Sequence, residues 1–247
     1  MLRPVWQKFF RFNGLFGLLL ILLFGIPRFI IVLQANVTGN YYLIPMIFIF
    51  MIIAPVIFLT KTGRKGIGIN KPGNHYWLLY SFLAGLVLCT VMFITARLFF
   101  NETVSNWFVY ISRSYKVSRT GFAEPGRLIF FVIYAVIAMT FSPIGEELFY
   151  RGIVHGSFAI QYGERKASII DSLAFAVTHL AHFGIVYYAG TWNFLFLPAL
   201  LWVFFMFIAS RLFFLCKEKT GSILGAIFCH AGFNLAMMYF IFYHIIQ

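Results

Sequence analysis

Residues 14–33 read GLFGLLLILLFGIPRFIIVL, a run in which the only charged side chain is Arg28. A helix of this length rises about 30 Å, the thickness of the hydrocarbon core of a bilayer. The run is longer than the apolar part of a secretory signal peptide. We therefore interpret it as a first membrane-spanning helix, with Pro27 and Arg28 near its far end.

The composition of the whole chain also indicates a membrane protein. Of its 247 residues, 62% are hydrophobic, 21% aromatic and 11% charged, and the mean hydropathy is +0.89. Ordinary soluble domains are about 45–50% apolar and about 25% charged. This composition excludes disorder, a disulfide scaffold, a collagen-like fibre and an ordinary soluble enzyme. A soluble fold could not hide so much apolar surface from water. The cysteines, Cys89, Cys216 and Cys229, form no CxxC pair and are expected to pack as small apolar side chains.

Further apolar runs follow the first one. They cover residues 42–60, 77–100, 127–160, 169–188, 194–215 and 222–246. The pattern predicts an all-α polytopic transmembrane helix bundle with seven spans, or eight if Pro143 divides its run into two. At Pro143 the run either kinks or continues as a separate half-helix.

The segment 101–126 interrupts this series, because aromatic and basic side chains alternate in it. We expect it to be an amphipathic segment that lies on the membrane surface. Residues 1–127 are then the N-terminal helices with this interfacial segment, and residues 128–247 are the functional core of one integrated membrane domain.

Basic side chains give the chain a formal charge of +12, from 19 Lys and Arg against 7 Asp and Glu. They lie between apolar runs, as the positive-inside rule expects, so nucleic acid is not the predicted partner. With seven spans, most of them fall on the side of the N-terminus. The basic residues on the opposite side are Arg113, Lys116, Arg119 and Arg127, all in or beside the interfacial segment. The bias predicts an N-terminus inside and a C-terminus outside, whereas eight spans would reverse every element after Pro143.

Ionisable side chains are concentrated in the second half of the chain. The first three runs carry only Arg28 and Arg97, both near helix ends, where a long side chain can reach the interface. The later runs carry the ionisable Glu146, Glu147, Arg151, His155, Asp171, His179, His182, His230 and His244, together with the amide Asn234. Ionisable groups at membrane depth cost about 3 kcal/mol each on insertion scales, so such a set indicates a functional site.

The first polar pattern is Glu146-Glu147-x-x-x-Arg151. On a helix, Glu147 and Arg151 share a face and can pair, whereas Glu146 is rotated by about 100° and has no local cation. Two adjacent carboxylates in different environments can divide the roles of structural anion and base. An ion-pair network that only joins two helices is the alternative.

Two further patterns carry histidine. Phe175 and His179 share a helix face, His182 lies almost one turn further on, and no HExxH motif is present. His230 and Asn234 also share a face. Small residues keep this last helix narrow and permit close packing: Gly225, Ala226, Ala231 and Gly232. Taken singly, these side chains could equally be hydrogen-bonded core residues.

Together, the three patterns resemble the signature of the CAAX-protease and bacteriocin-processing (CPBP, or Abi) family of intramembrane endopeptidases. That signature is EExxxR, then FxxxH, then HxxxN or HxxxD, and all three occur here in order on predicted helices. The first motif commonly ends Phe-Arg-Gly in the family, whereas this chain has Tyr150 before Arg151. The resemblance covers about residues 128–240.

The resemblance implies that the motif residues line a cavity that opens toward the cytoplasmic side. Glu146 and His179 would activate a water molecule for attack on an amide. His230 and Asn234 would hold the carbonyl oxygen as negative charge develops. A carboxyl group in a low-dielectric bundle is suited to the role of base, which agrees with this assignment.

The Glu147–Arg151 pair would brace the site, and the substrate-binding residues remain unknown at this stage. The favoured mechanism requires no cofactor. A metalloprotease mechanism is the alternative, with Zn²⁺ held by Glu146, His179 and His230.

The expected partners are the lipid bilayer and a membrane peptide or lipidated protein, including a prenylated CAAX-type C-terminus. The expected location is a multi-pass position in a membrane, with the bacterial inner membrane favoured over the endoplasmic reticulum. A non-proteolytic scaffold or bacteriocin immunity protein is the main alternative function. A small transporter with a proton relay is less favoured, because the chain shows no two matching halves.

Overall fold

The computed structural model describes residues 1–115 and 124–246, and residues 124 and 125 by their backbone only. The described part is mostly helical. Its elements are α1 (Pro4–Gln7), α2 (Gly14–Thr38), α3 (Ile44–Phe58), α4 (Lys61–Gly66), α5 (Tyr76–Phe100), α6 (Trp107–Ser112), α7 (Glu124–Glu146), α8 (His155–Thr178), β1 (Ile185–Tyr188), β2 (Thr191–Phe194), α9 (Phe196–Thr220) and α10 (Ile223–Phe240). Short 3-10 helices cover Arg113–Tyr115 and His179–Ala181, and π-helices cover Glu147–Val154 and Ile241–Ile245.

Helix α2 has clear signals at both ends. The side chain of Asn13 accepts a hydrogen bond from the N–H of Phe16 at 3.2 Å, which satisfies one of the unpaired donors of the first turn. The helix ends at Gly39, whose φ of 67° lies in the left-handed region that favours glycine. Arg28 therefore lies near the middle of α2, not near its end as predicted.

The longest apolar stretch, Gly126–Ala181, is a hairpin. Gly163 has φ 77° and ψ 162° and interrupts the helix. On the two sides of this break, Tyr150 contacts Thr178 through their hydroxyls, and His155 contacts Asp171. These pairs are nearly symmetric about Gly163, so the chain reverses direction there.

At Pro143 the structure shows neither of the predicted alternatives, a kink or a separate half-helix. The chain stays helical through Pro143 and then widens into the π-helix Glu147–Val154. Proline lacks an N–H, and π-helical turns occur frequently at functional sites. The wide turns begin at the second residue of the carboxylate pair.

A β-hairpin is the main departure from the predicted all-α fold. The predicted run 169–188 leaves the α-helix after Thr178, and Ile185–Tyr188 pair antiparallel with Thr191–Phe194. Glycine at position 190, with φ 82°, lies in the connecting turn. Hydropathy did not reveal this change, because a short apolar strand and the end of an apolar helix look alike.

The structure describes residues 101–115 of the segment that was predicted to lie on the membrane surface. Trp107 and Phe108 are fully buried and pack against Phe183 and Phe93, respectively. Tertiary contacts thus pack this aromatic turn against the bundle, and its position at the membrane surface stays a prediction. Residues 116–123, with Lys116 and Arg119, lie outside the described residues.

Five elements of the described chain are long and apolar enough to cross a membrane: Gly14–Thr38, Tyr76–Phe100, Gly126–Ala181, Phe196–Thr220 and Ile223–Ile245. This number does not confirm seven or eight spans. Helix α3 has only 15 residues, and Gly126–Ala181 counts as one element although it reverses at Gly163. Many large apolar side chains on these helices are exposed, as expected of a surface in contact with lipid.

Glycines permit close approach of α10 to its neighbours. A Cβ at Gly232 would overlap the carbonyl of Phe82 on α5, and one at Gly85 would overlap the carbonyl of Cys229. The predicted narrow helix is therefore confirmed as a close-packing surface. The three cysteines are free and buried, as predicted.

The bundle has two chemically different ends. At one of them Thr60 bonds Met1 and Gly73 bonds Thr220, which joins the segments that carry most basic residues. We name the ends by the segments that form them: the basic end is 1–13, 59–75, 155–166 and 217–222, and the aromatic end is 36–44, 101–115 and 182–195. At the aromatic end Tyr187 donates its N–H to the Tyr110 hydroxyl at 2.9 Å.

Candidate active site

A cavity of about 460 Å³ lies within the bundle, and we call it the central cavity. Its polar lining consists mainly of Arg28, Ser142, Glu146, His179, His182, His230 and Asn234. The rest of the wall is largely aromatic and aliphatic. Three separate helical segments thus bring the four predicted catalytic residues to one cavity.

Glu146 ends α7 and is 1% exposed. Its Oε1 accepts a hydrogen bond from Arg28 Nη2 at 2.6 Å, and this ion pair is buried on both sides. Its Oε2 has no hydrogen-bond partner among the described residues and lies 3.9 Å from His179 Nε2. One carboxylate oxygen is therefore fixed by a cation, and the other is available to a ligand.

His179 lies where α8 tightens into a 3-10 turn. Its Nδ1 lies 2.7 Å from the carbonyl oxygen of Phe175, and the two rings stack at 4.2 Å between centroids. Because a carbonyl oxygen can only accept, this contact assigns the hydrogen to Nδ1. In the neutral ring Nε2 then carries a lone pair, and it faces Glu146.

His182 joins this group one turn beyond His179. Its Nε2 lies 3.4 Å from Arg28 Nη2, and its ring lies 5.4 Å from that of His179. Burial, followed by the charge of Arg28, lowers the pKa of His182 to about 3. The ring is therefore neutral at physiological pH and can accept from the guanidinium.

Behind the cavity, the Glu147 carboxylate contacts both Arg151 and His230. Glu147 Oε2 lies 3.2 Å from Arg151 Nε, which confirms the predicted (i, i+4) pair, and Oε1 lies 2.8 Å from His230 Nδ1. Arg151 is fully buried and its guanidinium lies over the ring of Phe175 at 4.2 Å. Neither Glu147 nor Arg151 lines the central cavity.

The remaining wall residues are held by the backbone and by stacking. Asn234 donates from Nδ2 to the carbonyl of Ala138 at 2.8 Å. This bond uses one of the two amide hydrogens. His230 stacks on Phe213 with centroids 4.6 Å apart and planes 13° apart.

The residues named for zinc do not form a ligand set in this arrangement. Glu146 Oε1 is occupied by the Arg28 guanidinium, and His230 turns Nδ1 toward Glu147. Among the described residues, no group of three His, Cys, Asp or Glu is arranged to hold a metal ion. The guanidinium bonded to Glu146 opposes a second cation there, and the choice between the metal-free and the zinc mechanism stays a prediction.

Residues 128–236, which contain all three motifs, match the family model described as type II CAAX prenyl endopeptidase Rce1-like. This segment is therefore similar to the Rce1-like family over 109 of the 247 residues. The match confirms the predicted resemblance and supports a CAAX-type intramembrane protease role for an integral membrane protein, and it does not favour the scaffold alternative. Comparisons with curated proteins and with solved structures give no match.

Two residues of the cavity were not predicted as site residues. Arg28 lies outside the Rce1-like segment and was expected to reach the interface, although its position beside Pro27 within an otherwise uncharged run marked it as unusual. His182 was set aside because it belongs to no motif. Its spacing of three residues from His179 was the available signal.

Proposed function

We propose that the chain is an endopeptidase that hydrolyses a peptide bond of a membrane-associated, CAAX-type substrate with water activated by Glu146 and His179. The proposal is carried by one observation. Glu146 Oε2 and His179 Nε2 face each other at 3.9 Å on the wall of the central cavity, and Glu146 Oε2 has no hydrogen-bond partner among the described residues.

In the proposed reaction, a water molecule between these atoms donates one hydrogen to Glu146 Oε2 and the other to His179 Nε2. Glu146 removes a proton while the water oxygen bonds to the carbonyl carbon. The proton then passes to the amide nitrogen as the C–N bond breaks. Arg28 holds the first carboxylate oxygen, Oε1, at 2.6 Å and so directs Oε2 toward the water.

Asn234 and His230 are proposed to stabilise the oxyanion. The second amide hydrogen of Asn234 remains available after its bond to Ala138. In the proposed mechanism His230 donates from Nε2 with both ring nitrogens protonated, while Nδ1 lies 2.8 Å from Glu147 Oε1. One donor of this kind is worth about 3–4 kcal/mol in other enzymes. The Glu147–Arg151 pair holds His230 in place.

The experiment uses the purified full chain and an S-farnesylated peptide with three apolar residues after the modified cysteine, and it measures the released tripeptide by mass spectrometry. Glu146→Gln and His179→Gln are expected to lower turnover by about 100-fold or more, the usual contribution of acid–base catalysis. Glu164→Gln and His244→Gln are matched controls, because neither residue lines the central cavity. Both controls should keep wild-type turnover.

Wild-type-like turnover by Glu146→Gln would refute the assignment of the base. Thermal unfolding of each variant in detergent separates loss of catalysis from loss of fold. The same preparation is assayed with and without a chelator after metal analysis, and full turnover at far less than one metal per chain is expected. We expect the protein in the inner membrane of a bacterium, which membrane fractionation tests.

A further inference from the structure

A second cavity, of about 400 Å³, lies at the aromatic end, and we call it the end chamber. It adjoins the central cavity, because both are lined by Ile111, Tyr115 and His182. The two chambers are thus neighbours, with Glu146 in the wall of the central cavity. A substrate longer than the central cavity has the end chamber beside it.

The walls of the two chambers differ in chemistry. The central cavity is largely apolar, whereas the end chamber is lined by amide and hydroxyl side chains and one cation: Asn36, Thr38, Tyr41, Tyr110, Arg113, Ser114 and Tyr187. Among the described residues, no carboxylate lines the end chamber. The charge of its wall is thus positive.

Arg113 supplies that charge. Its guanidinium lies over the rings of Tyr188 and Tyr110, at 5.0 and 5.8 Å from the centroids. Stacking leaves the edge of a guanidinium, with its N–H donors, free for an anion. Within residues 1–115 and 124–246, no carboxylate forms an ion pair with Arg113.

Tyr110 supplies a second donor. It is 6% exposed, and its hydroxyl oxygen accepts from the N–H of Tyr187 at 2.9 Å. The hydroxyl hydrogen has no acceptor in the described part of the chain. Burial raises the pKa of Tyr110, so this hydrogen is retained at neutral pH. A buried, unpartnered donor beside a cation is suited to bind an anion.

We propose that the end chamber binds the α-carboxylate of the substrate peptide through Arg113 and Tyr110. The residues between the cleaved bond and the C-terminus then lie in the apolar central cavity. This inference rests on the proposed function only in taking the occupant of the central cavity to be a peptide. It makes the protein selective for substrates with a free C-terminus.

The test measures binding rather than cleavage, so that it can fail independently of the proposed function. The probe is a fluorescein-labelled, S-farnesylated peptide with three apolar residues after the modified cysteine, made as the free acid and as the C-terminal amide. Fluorescence anisotropy with the full-length Glu146→Gln variant, with protein-free micelles as the blank, gives the two affinities. The acid is expected to bind at least about tenfold more tightly, as charge-assisted hydrogen bonds allow.

The preference should vanish in Arg113→Gln and decrease in Tyr110→Phe. Arg127→Gln is the matched control, because Arg127 also lies over a tyrosine ring, that of Tyr243 at 6.0 Å, and lines neither chamber. It should keep the full preference. Unfolding curves verify that each variant is folded.

Equal binding of the acid and the amide to the parent protein would overturn the inference, as would absence of binding or a preference that survives Arg113→Gln. The assay is repeated in nanodiscs of phosphatidylglycerol and of phosphatidylcholine. If the anionic lipid alone abolishes the preference, the chamber takes a headgroup phosphate and the carboxylate assignment is wrong. A persistent preference together with no cleavage by the wild-type protein would refute the proposed function and leave this inference intact.

Discussion

The guanidinium of Arg28 is surrounded by an apolar bundle, and the carboxylate of Glu146 balances its charge there at 2.6 Å. Taking both charges out of water is costly, and removal of one partner leaves the other buried and unpaired. An arrangement of this cost is expected where it serves a reaction. We therefore interpret Arg28 as a positioning residue for the proposed base.

Arg28→Gln is expected to lower kcat at least about tenfold with little change in KM, because the base would lose its orienting cation while the substrate contacts stay in place. Arg28→Lys, which keeps the charge, should recover part of the loss. Turnover and KM for the farnesylated peptide measure both effects. Arg97→Gln is the control, since Arg97 pairs with Glu102 on the surface at 2.7 Å, where an ion pair contributes little. Equal losses in Arg28→Lys and Arg28→Gln would indicate a purely structural role.

At the scale of helices and strands, local spacing predicted what depends on neighbours in sequence. The (i, i+4) rule placed Glu147 beside Arg151, and small residues marked α10 as a close-packing helix. Spacing could not predict that Trp107 is buried, because its partners, such as Phe183, are distant in sequence. For the same reason the pairing of Glu146 with a cation on α2 was missed, although both residues were visible in the sequence.

Helix α10 provides the prediction at this scale. Gly232→Ala should lower the free energy of unfolding by about 1–3 kcal/mol, because its Cβ would meet the backbone carbonyl of Phe82, which cannot move aside cheaply. Gly25→Ala is the control, since its Cβ would meet only the Thr178 methyl group at 3.3 Å. Thermal or denaturant unfolding in detergent measures both changes. A Gly232→Ala protein as stable as the control would show that α5 and α10 separate easily.

At the scale of the whole molecule, the separation of charge between the two ends bears on orientation in the membrane. The basic end gathers the chain start and the loops that hold most Lys and Arg, and the positive-inside rule places such an end in the cytoplasm. The aromatic end, with the end chamber, would then face the other side. The resemblance to the CPBP family instead implies a cavity open toward the cytoplasm, so the two expectations differ.

We expect the charge distribution to determine the orientation, with the basic end in the cytoplasm. The native cysteines are buried, so single reporters can be added at exposed positions on the two ends. Thr191→Cys, in the β-hairpin, should react with a membrane-impermeant maleimide in intact cells. Lys61→Cys, at the basic end, should react only after the cells are permeabilised. The reverse pattern would place the end chamber in the cytoplasm.

The contact between Arg28 and Glu146 joins positions 118 residues apart, and only one of them belongs to the Rce1-like segment. A gene trimmed to codons 128–236 would still encode every signature side chain, yet Glu146, the proposed base, would have lost its counter-ion. Supplying α2 as a separate polypeptide in the same cell would be the direct way to restore it. A fragment or chimera made for expression should therefore contain both Arg28 and Glu146, and not the recognisable motifs alone.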